Sequence, residues 1–246
     1  MIYAIGDIHG QVTMLRALLD KLRALPLKDE DTLVFIGDYV DRGEDSRAVI
    51  ETLIQLKQER PDTVFLRGNH EQLMLDARFG PPPQPGLREG FILHSELMLN
   101  WLQNGGVDTL LSYDVQDFLR WWEALPESHW QFLQETQIEY VTPRYHFVHA
   151  GLLPPGETWE ADGWDIDPRL WIREPFLSSE ADFEGRIVVF GHTPQMGGNP
   201  LLLPNKIGID TGAAYGGWLT CAAFAPAPKK RSPAPPRFYQ VDYAIA

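Results

Sequence analysis

Thr32-Leu33-Val34-Phe35-Ile36-Gly37-Asp38-Tyr39-Val40-Asp41-Arg42-Gly43 is the stretch that decides the fold class. An apolar run of strand length ends at a glycine, and charged residues come at once after it. Ligands of α/β sheets collect at the carboxyl ends of strands, so this is a strand handing polar side chains to a site. The same grammar precedes it in Ile2 to Gly6, which runs into Asp7-Ile8-His9-Gly10, and recurs after it in Thr63 to Arg67, which runs into Gly68-Asn69-His70-Glu71. Between them lie helical patterns at Met14 to Leu25 and Arg47 to Glu59, the second with Asp45 or Ser46 as its cap, and a third helical stretch runs from about Glu71 to Arg78. The order predicts a βαβαβ unit in an α/β layered fold.

Outward from that unit the pattern changes. Gly80 to Gly86 is rich in proline, and Leu87 to Gln137 carries helical periodicity and the pair Trp121-Trp122. This predicts a helical insertion at about 80–137, packed beside the sheet core inside a single domain of residues 1–246. Strand signals resume at Ile138 to Val141, Tyr145 to Val148 and Arg186 to Phe190. Lys206 to Ile209, Trp218 to Phe224 and Phe238 to Tyr243 read as a closing meander, with the proline-rich 225–236 as a loop between its last two strands.

Bulk properties narrow the function. The 246 residues are 44% hydrophobic and 22% charged, enough to bury a rigid core without crosslinks. Cys221 is the one cysteine and sits among apolar neighbours, which points to a reducing compartment and a buried thiol. With no leader pattern at the N-terminus and no apolar run near the roughly 18 residues that a span needs, a cytoplasmic protein without membrane contact is expected. The net charge of −13 and a main basic cluster of only Lys229-Lys230-Arg231 argue against nucleic acid as a partner.

Two more strand ends carry His149-Ala150-Gly151 and Gly191-His192-Thr193. Five stretches distant in sequence thus deliver Asp, His, Asn and Arg to one kind of edge. Carboxylate, imidazole and amide donors without thiolates suit manganese, iron or zinc. Asp7 and His9, two apart, can grip one ion, and Asp38 can bridge two. Asn69, His149 and His192 would complete the second ion.

These residues resemble the signature of the calcineurin-like metallophosphoesterases. Asp38-x-x-Asp41-Arg42-Gly43 with Gly68-Asn69-His70-Glu71 is similar to the phosphoprotein phosphatase branch, as are Trp101-Leu102-x-Asn104-Gly105-Gly106, Leu170-Trp171-x-Arg173 and the run from Ile209 to Gly217. The resemblance implies a four-layer sandwich of two mixed sheets flanked by helices. It also implies two divalent metal ions, manganese first, with Asp7, His9 and Asp38 on one and Asp38, Asn69, His149 and His192 on the other.

The activity implied is a serine/threonine protein phosphatase acting on phosphoproteins or phosphopeptides, and on small phosphate esters in vitro. A metal-bridging hydroxide would attack phosphorus in line. His70 would be the general acid, with Asp41 orienting its ring and favouring the protonated form, while Arg42 and Arg173, with Asn69 and His70, would hold the phosphate. Arg67 and Glu71 read as supporting residues, and Asp210 as either a ligand-orienting or a turn aspartate. One alternative is hydrolysis of a dinucleoside polyphosphate or another nucleotide on the same fold. Another is a catalytically silent metal-binding scaffold, which would have no use for His70, Asp41 and Arg42 together.

Overall fold

The computed structural model describes residues 1–80, 96–159, 166–225 and 235–245. Strands β1 (Ile2–Ile5), β2 (Thr32–Phe35) and β3 (Val64–Phe65) alternate with helices α1 (Val12–Arg23) and α2 (Ser46–Glu59), and α3 (Asn69–Phe79) comes after β3. Of the two caps offered for α2, Asp45 serves: its side chain accepts the Ala48 N–H at 2.8 Å. Helix α3 starts two residues earlier than the periodicity suggests, because the buried Glu71 carboxylate accepts the Gly68 N–H at its N-terminus.

The remaining strands are β4 (Glu139–Val141), β5 (Tyr145–Val148), β6 (Ile187–Phe190), β7 (Leu201–Leu202), β8 (Lys206–Gly208), β9 (Trp218–Phe224) and β10 (Arg237–Asp242). They form two mixed five-stranded sheets, ordered β10-β9-β1-β2-β3 and β4-β5-β6-β8-β7. In the first, β1, β2 and β3 are parallel, and β9 returns antiparallel to β1. In the second, β5, β6 and β8 are parallel. The expected closing meander does not form, because β8 belongs to the second sheet while β9 and β10 belong to the first. Residues of β8 are buried between β6 and β7, so the chain must cross between sheets before it can pair with β1. The short edge strand β7 has no distinct signature in the sequence. The proline-rich loop expected at 225–236 falls mostly on 226–234, outside the described residues.

Side-chain alternation sorts β1 between two cores. Ala4 joins Val34, Ile36, Phe147, Val189 and Phe224 between the sheets. Tyr3 and Ile5 face the other way, into a cluster with Leu15 and Leu18 of α1 and Val49 and Leu53 of α2. The helical stretch expected at about 80–137 lies outside the described residues as far as residue 95. From residue 96 it is helical with breaks, and Trp101, Leu110, Trp121, Trp130 and Phe132 pack into that same cluster. The far face of the second sheet covers Val148, Val188 and Phe190 with Ile172, Phe176 and Phe183, which succeed the short helix Pro168–Trp171. Among the described residues no helix is long and apolar enough to cross a membrane.

Candidate metal centre

The parallel strands end on one side of each sheet, and the loops leaving them are laced by backbone. The carbonyl of Asp38 accepts the N–H groups of Ile8 and His9 at 3.0 and 2.8 Å, and that of Tyr39 accepts Gly10 N–H at 2.8 Å. The loops pass so closely that a Cβ on Gly68 would lie 2.1 Å from Asp38 Oδ1. A Cβ on Gly191 would lie 2.0 Å from Asp7 Oδ1. Only glycine fits either position. His9, Asp38, Asp41, Arg42 and His192 all adopt left-handed backbone, with φ from 47 to 72°. Such conformations cost about 1–3 kcal/mol each and persist only where surrounding structure enforces them.

Asp7, His9, Asp38, Asn69, His70, His149 and His192 converge and are all buried. Asp38 stands at the centre. Its Oδ2 is 3.3 Å from His9 Nε2 and 4.0 Å from His70 Nε2, while its Oδ1 is 3.4 Å from His149 Nε2. Two groups of candidate ligand atoms, His9–Asp38–His70 and Asp38–His149–His192, therefore share this carboxylate, with the atoms of each within 4.8 Å of one another. His70, rather than Asp7, completes the first trio. Asp7 lies close by, with Oδ2 accepting the His192 N–H at 2.9 Å.

The pattern of N–H groups and bare lone pairs in the cluster suits cations. His9 Nδ1–H donates to Val40 O and His149 Nδ1–H to Ile36 O, so each neutral ring turns a bare Nε2 inward. There Nε2 of His149 meets Asn69 Oδ1 at 2.9 Å and Asp38 Oδ1 at 3.4 Å, acceptors facing acceptors, and Nε2 of His9 stands 3.3 Å from Asp38 Oδ2 with the Arg42 Nη1–H on its other side. His192 Nε2 and Asp7 Oδ1 are buried with no hydrogen-bond partner. Protons alone would have to resolve this. Burial opposes charge on His9 and His149, but the Asp38 carboxylate overcomes it and raises both to about 9. Burial, then Asp210, pushes Asp7 well above the usual carboxylate range. Convergent acceptors, orphaned donor atoms and nitrogen–oxygen chemistry fit divalent cations.

The flank is built from the helical stretch. Asp41, fully buried, accepts His70 Nδ1–H at 2.7 Å, Trp101 Nε1–H at 3.1 Å and Thr109 Oγ1–H at 2.6 Å. This fixes the His70 ring with Nε2 toward Asp38. Burial, the largest effect, works against the protonated form of His70 and leaves its pKa below the ordinary histidine value, while Asp38 and Asp41 both favour that form. Arg42 Nε–H donates to Asn104 O at 3.3 Å, its Nη1 lies 3.2 Å from His9 Nε2, and its guanidinium stands 5.7 Å from the centre of the Tyr215 ring. Arg173 is exposed and donates to His192 O at 3.2 Å, beside the centre. Asp210 takes the turn role, with Oδ1 accepting Gly212 N–H at 3.0 Å. His146 pairs with Glu139 away from the cluster. Thr109, which holds Asp41, carries no chemical signal of its own in the sequence, and Trp101 appears there as part of a motif but not as a partner of Asp41.

A family model described as calcineurin-like phosphoesterase matches residues 1–202. The chain belongs to the calcineurin-like phosphoesterases. Serine/threonine-protein phosphatase 1 of Salmonella typhimurium is 30% identical over 227 residues, 90% of each chain. The symmetrical bis(5'-nucleosyl)-tetraphosphatase of a Janthinobacterium species is 26% identical, covering 89% of this chain and 90% of that one. Among solved structures, a cold-active protein-tyrosine phosphatase from a psychrophilic Shewanella aligns with a TM-score of 0.56 at 20% identity, covering 89% of this chain and 74% of that one. A serine/threonine phosphatase from Saccharomyces cerevisiae aligns with a TM-score of 0.56 at 16% identity, over 98% and 79%. These last two share the fold. As a calcineurin-like phosphoesterase the chain is a hydrolase of phosphoric esters, in a family that uses divalent metals.

Proposed function

We propose that the chain is a serine/threonine protein phosphatase with two divalent ions, manganese first, held by Asp7, His9 and Asp38 and by Asp38, Asn69, His149 and His192. The observation that carries this reading is the His70–Asp41 pair, with His70 Nε2 4.0 Å from the shared carboxylate of Asp38. Divalent ions in such a donor set supply Lewis acidity toward water and phosphate oxygens. The protein supplies the rest. Asp41 holds His70 Nδ1–H, so the imidazolium form would give its Nε2 proton to the leaving serine or threonine oxygen and return to the neutral ring, worth roughly 10²–10⁴-fold in rate. Arg42 and Arg173 reach the centre from opposite loops, and their planar forks match two phosphate oxygens each. Asn69 and His70, adjacent on α3, border the same space. Phosphoproteins or phosphopeptides are the proposed substrates, with small aryl phosphates as surrogates. The lone cysteine, buried Cys221, supports a reducing, cytoplasmic setting.

Purified protein should hydrolyse p-nitrophenyl phosphate and a phosphoserine peptide with Mn²⁺ and stop when a chelator is added. Absence of turnover with Mn²⁺, Fe²⁺ or Zn²⁺ sinks the reading. A second substrate class is favoured by the tetraphosphatase relatives, which cover as much of the chain as the phosphatases do at 26–28% identity. A higher kcat/KM on diadenosine tetraphosphate than on the phosphopeptide would transfer the assignment to nucleotides.

A further inference from the structure

Glu71 is fully buried in the third position of α3, and its two oxygens accept four backbone N–H groups. Oε2 takes Asp38 N–H at 2.8 Å and Gly68 N–H at 2.9 Å. Oε1 takes Tyr39 N–H at 2.7 Å and Val40 N–H at 3.2 Å. One side chain thus ties three consecutive amides of the loop after β2 to the loop after β3. The segment it grips includes Asp38, whose left-handed φ of 54° is unfavourable for a residue with a Cβ and needs an external hold. Asp38 and Tyr39 in turn present the carbonyls that anchor Ile8, His9 and Gly10. The restraint therefore passes from Glu71 to the Asp38 loop and on to the His9 loop.

The chemistry of the clamp is restrictive. An ionised carboxylate offers about four acceptor sites and no donor, matching four converging N–H groups. A glutamine of the same shape would turn an NH₂ toward two of them, leaving buried donors opposed. An aspartate keeps the acceptors on a stem one methylene too short to reach both loops.

We propose that Glu71 is the positioning residue of the metal centre: it sets metal affinity and turnover through the Asp38–Val40 backbone, touching neither ion nor substrate. This rests on the proposed reading of Asp38 as the ligand shared by two ions. The test compares wild type, Glu71→Gln and Glu71→Asp after chelator treatment, by calorimetric titration with Mn²⁺ and by p-nitrophenyl phosphate kinetics at saturating Mn²⁺. Circular dichroism establishes folding. The expected result is a folded Glu71→Gln with the Mn²⁺ Kd raised roughly 10–100-fold, kcat lowered, and the ester KM within about twofold of wild type. Glu71→Asp is expected between the two. A folded Glu71→Gln whose Mn²⁺ affinity and kcat both stay within about twofold of wild type overturns the proposal. Failure of both variants to fold also overturns it, since Glu71 would then serve the fold at large. Wild type that neither binds Mn²⁺ nor hydrolyses the ester overturns the function it rests on as well.

Discussion

His70 and Asp41 show how much of a residue's role is set by its surroundings. The imidazole is buried between two carboxylates, one bonded to its Nδ1 and one 4.0 Å from its Nε2, yet burial still depresses its pKa. Its proposed value to catalysis is therefore geometric first: when the ring is protonated, Asp41 on Nδ1–H leaves the Nε2–H as the proton to be given away, already aimed. His70→Asn keeps a polar side chain but no acid, and it should lower kcat roughly 10²–10⁴-fold on an alkyl phosphate, with little change in KM. The loss should be smaller on p-nitrophenyl phosphate, whose leaving group needs less protonation. Equal losses on both substrates would remove His70 from the acid's role. The sequence marked His70 and Asp41 plainly, because both sit at strand ends among glycines. It did not mark Thr109, and it placed Trp101 in a family motif without showing its task, since a threonine and a tryptophan on a helix read as ordinary packing until Asp41 is seen between them.

At the scale of elements, the helical stretch after residue 96 is a scaffold for Asp41 and, through it, for His70. Thr109 both donates to Asp41 Oδ1 and accepts the Asp41 N–H. Thr109→Val keeps the shape and deletes both bonds, which should cost about 1–3 kcal/mol by urea denaturation. It should also lower kcat, because the His70–Asp41 pair loosens. A second device in these helices concerns pH. His129 is buried and its Nδ1 lies 2.7 Å from the Tyr113 hydroxyl. Burial lowers its pKa below 6.5, with Glu51 opposing and Arg47 reinforcing the shift. The unfolded chain then binds a proton that the folded chain refuses. Stability from the neutral ring is whole above the unfolded value and lost as pH falls through it toward the folded one. His129→Gln, which does not titrate, should narrow the gap in Tm between about pH 7.5 and pH 5.5 relative to wild type. Parallel Tm curves for the two proteins would dismiss this account.

Across the whole molecule, the centre joins loops from both sheets: Asp7, His9, Asp38 and Asn69 come after strands of the first, and His149 and His192 after strands of the second. Ions held there would couple the sheets. Ligand binding to the native state alone adds about 2.7 kcal/mol at a hundredfold excess over Kd. At roughly 2–4 °C per kcal/mol for a chain of this size, Mn²⁺ should raise Tm by roughly 5–11 °C, reversibly with chelator. Differential scanning fluorimetry checks this. An unchanged Tm at saturating Mn²⁺ would count against cations bridging the two sheets.

Alternation of strand and helix over residues 1–79, a cap for α2 at Asp45 or Ser46 and the polar strand ends were legible in the sequence because they are local, set by periodicity and by the residue types at each strand's end. Sheet membership was not. Lys206–Gly208 and Trp218–Phe224 look alike as apolar strands, and their assignment to different sheets depends on which partner edge is free, a long-range fact. The ligand types were likewise determined by composition at the strand ends. Which atoms oppose which, and that Glu71 spends both oxygens on backbone amides, were decided only by tertiary structure, because hydrogen bonds across 31 to 185 residues have no period to betray them.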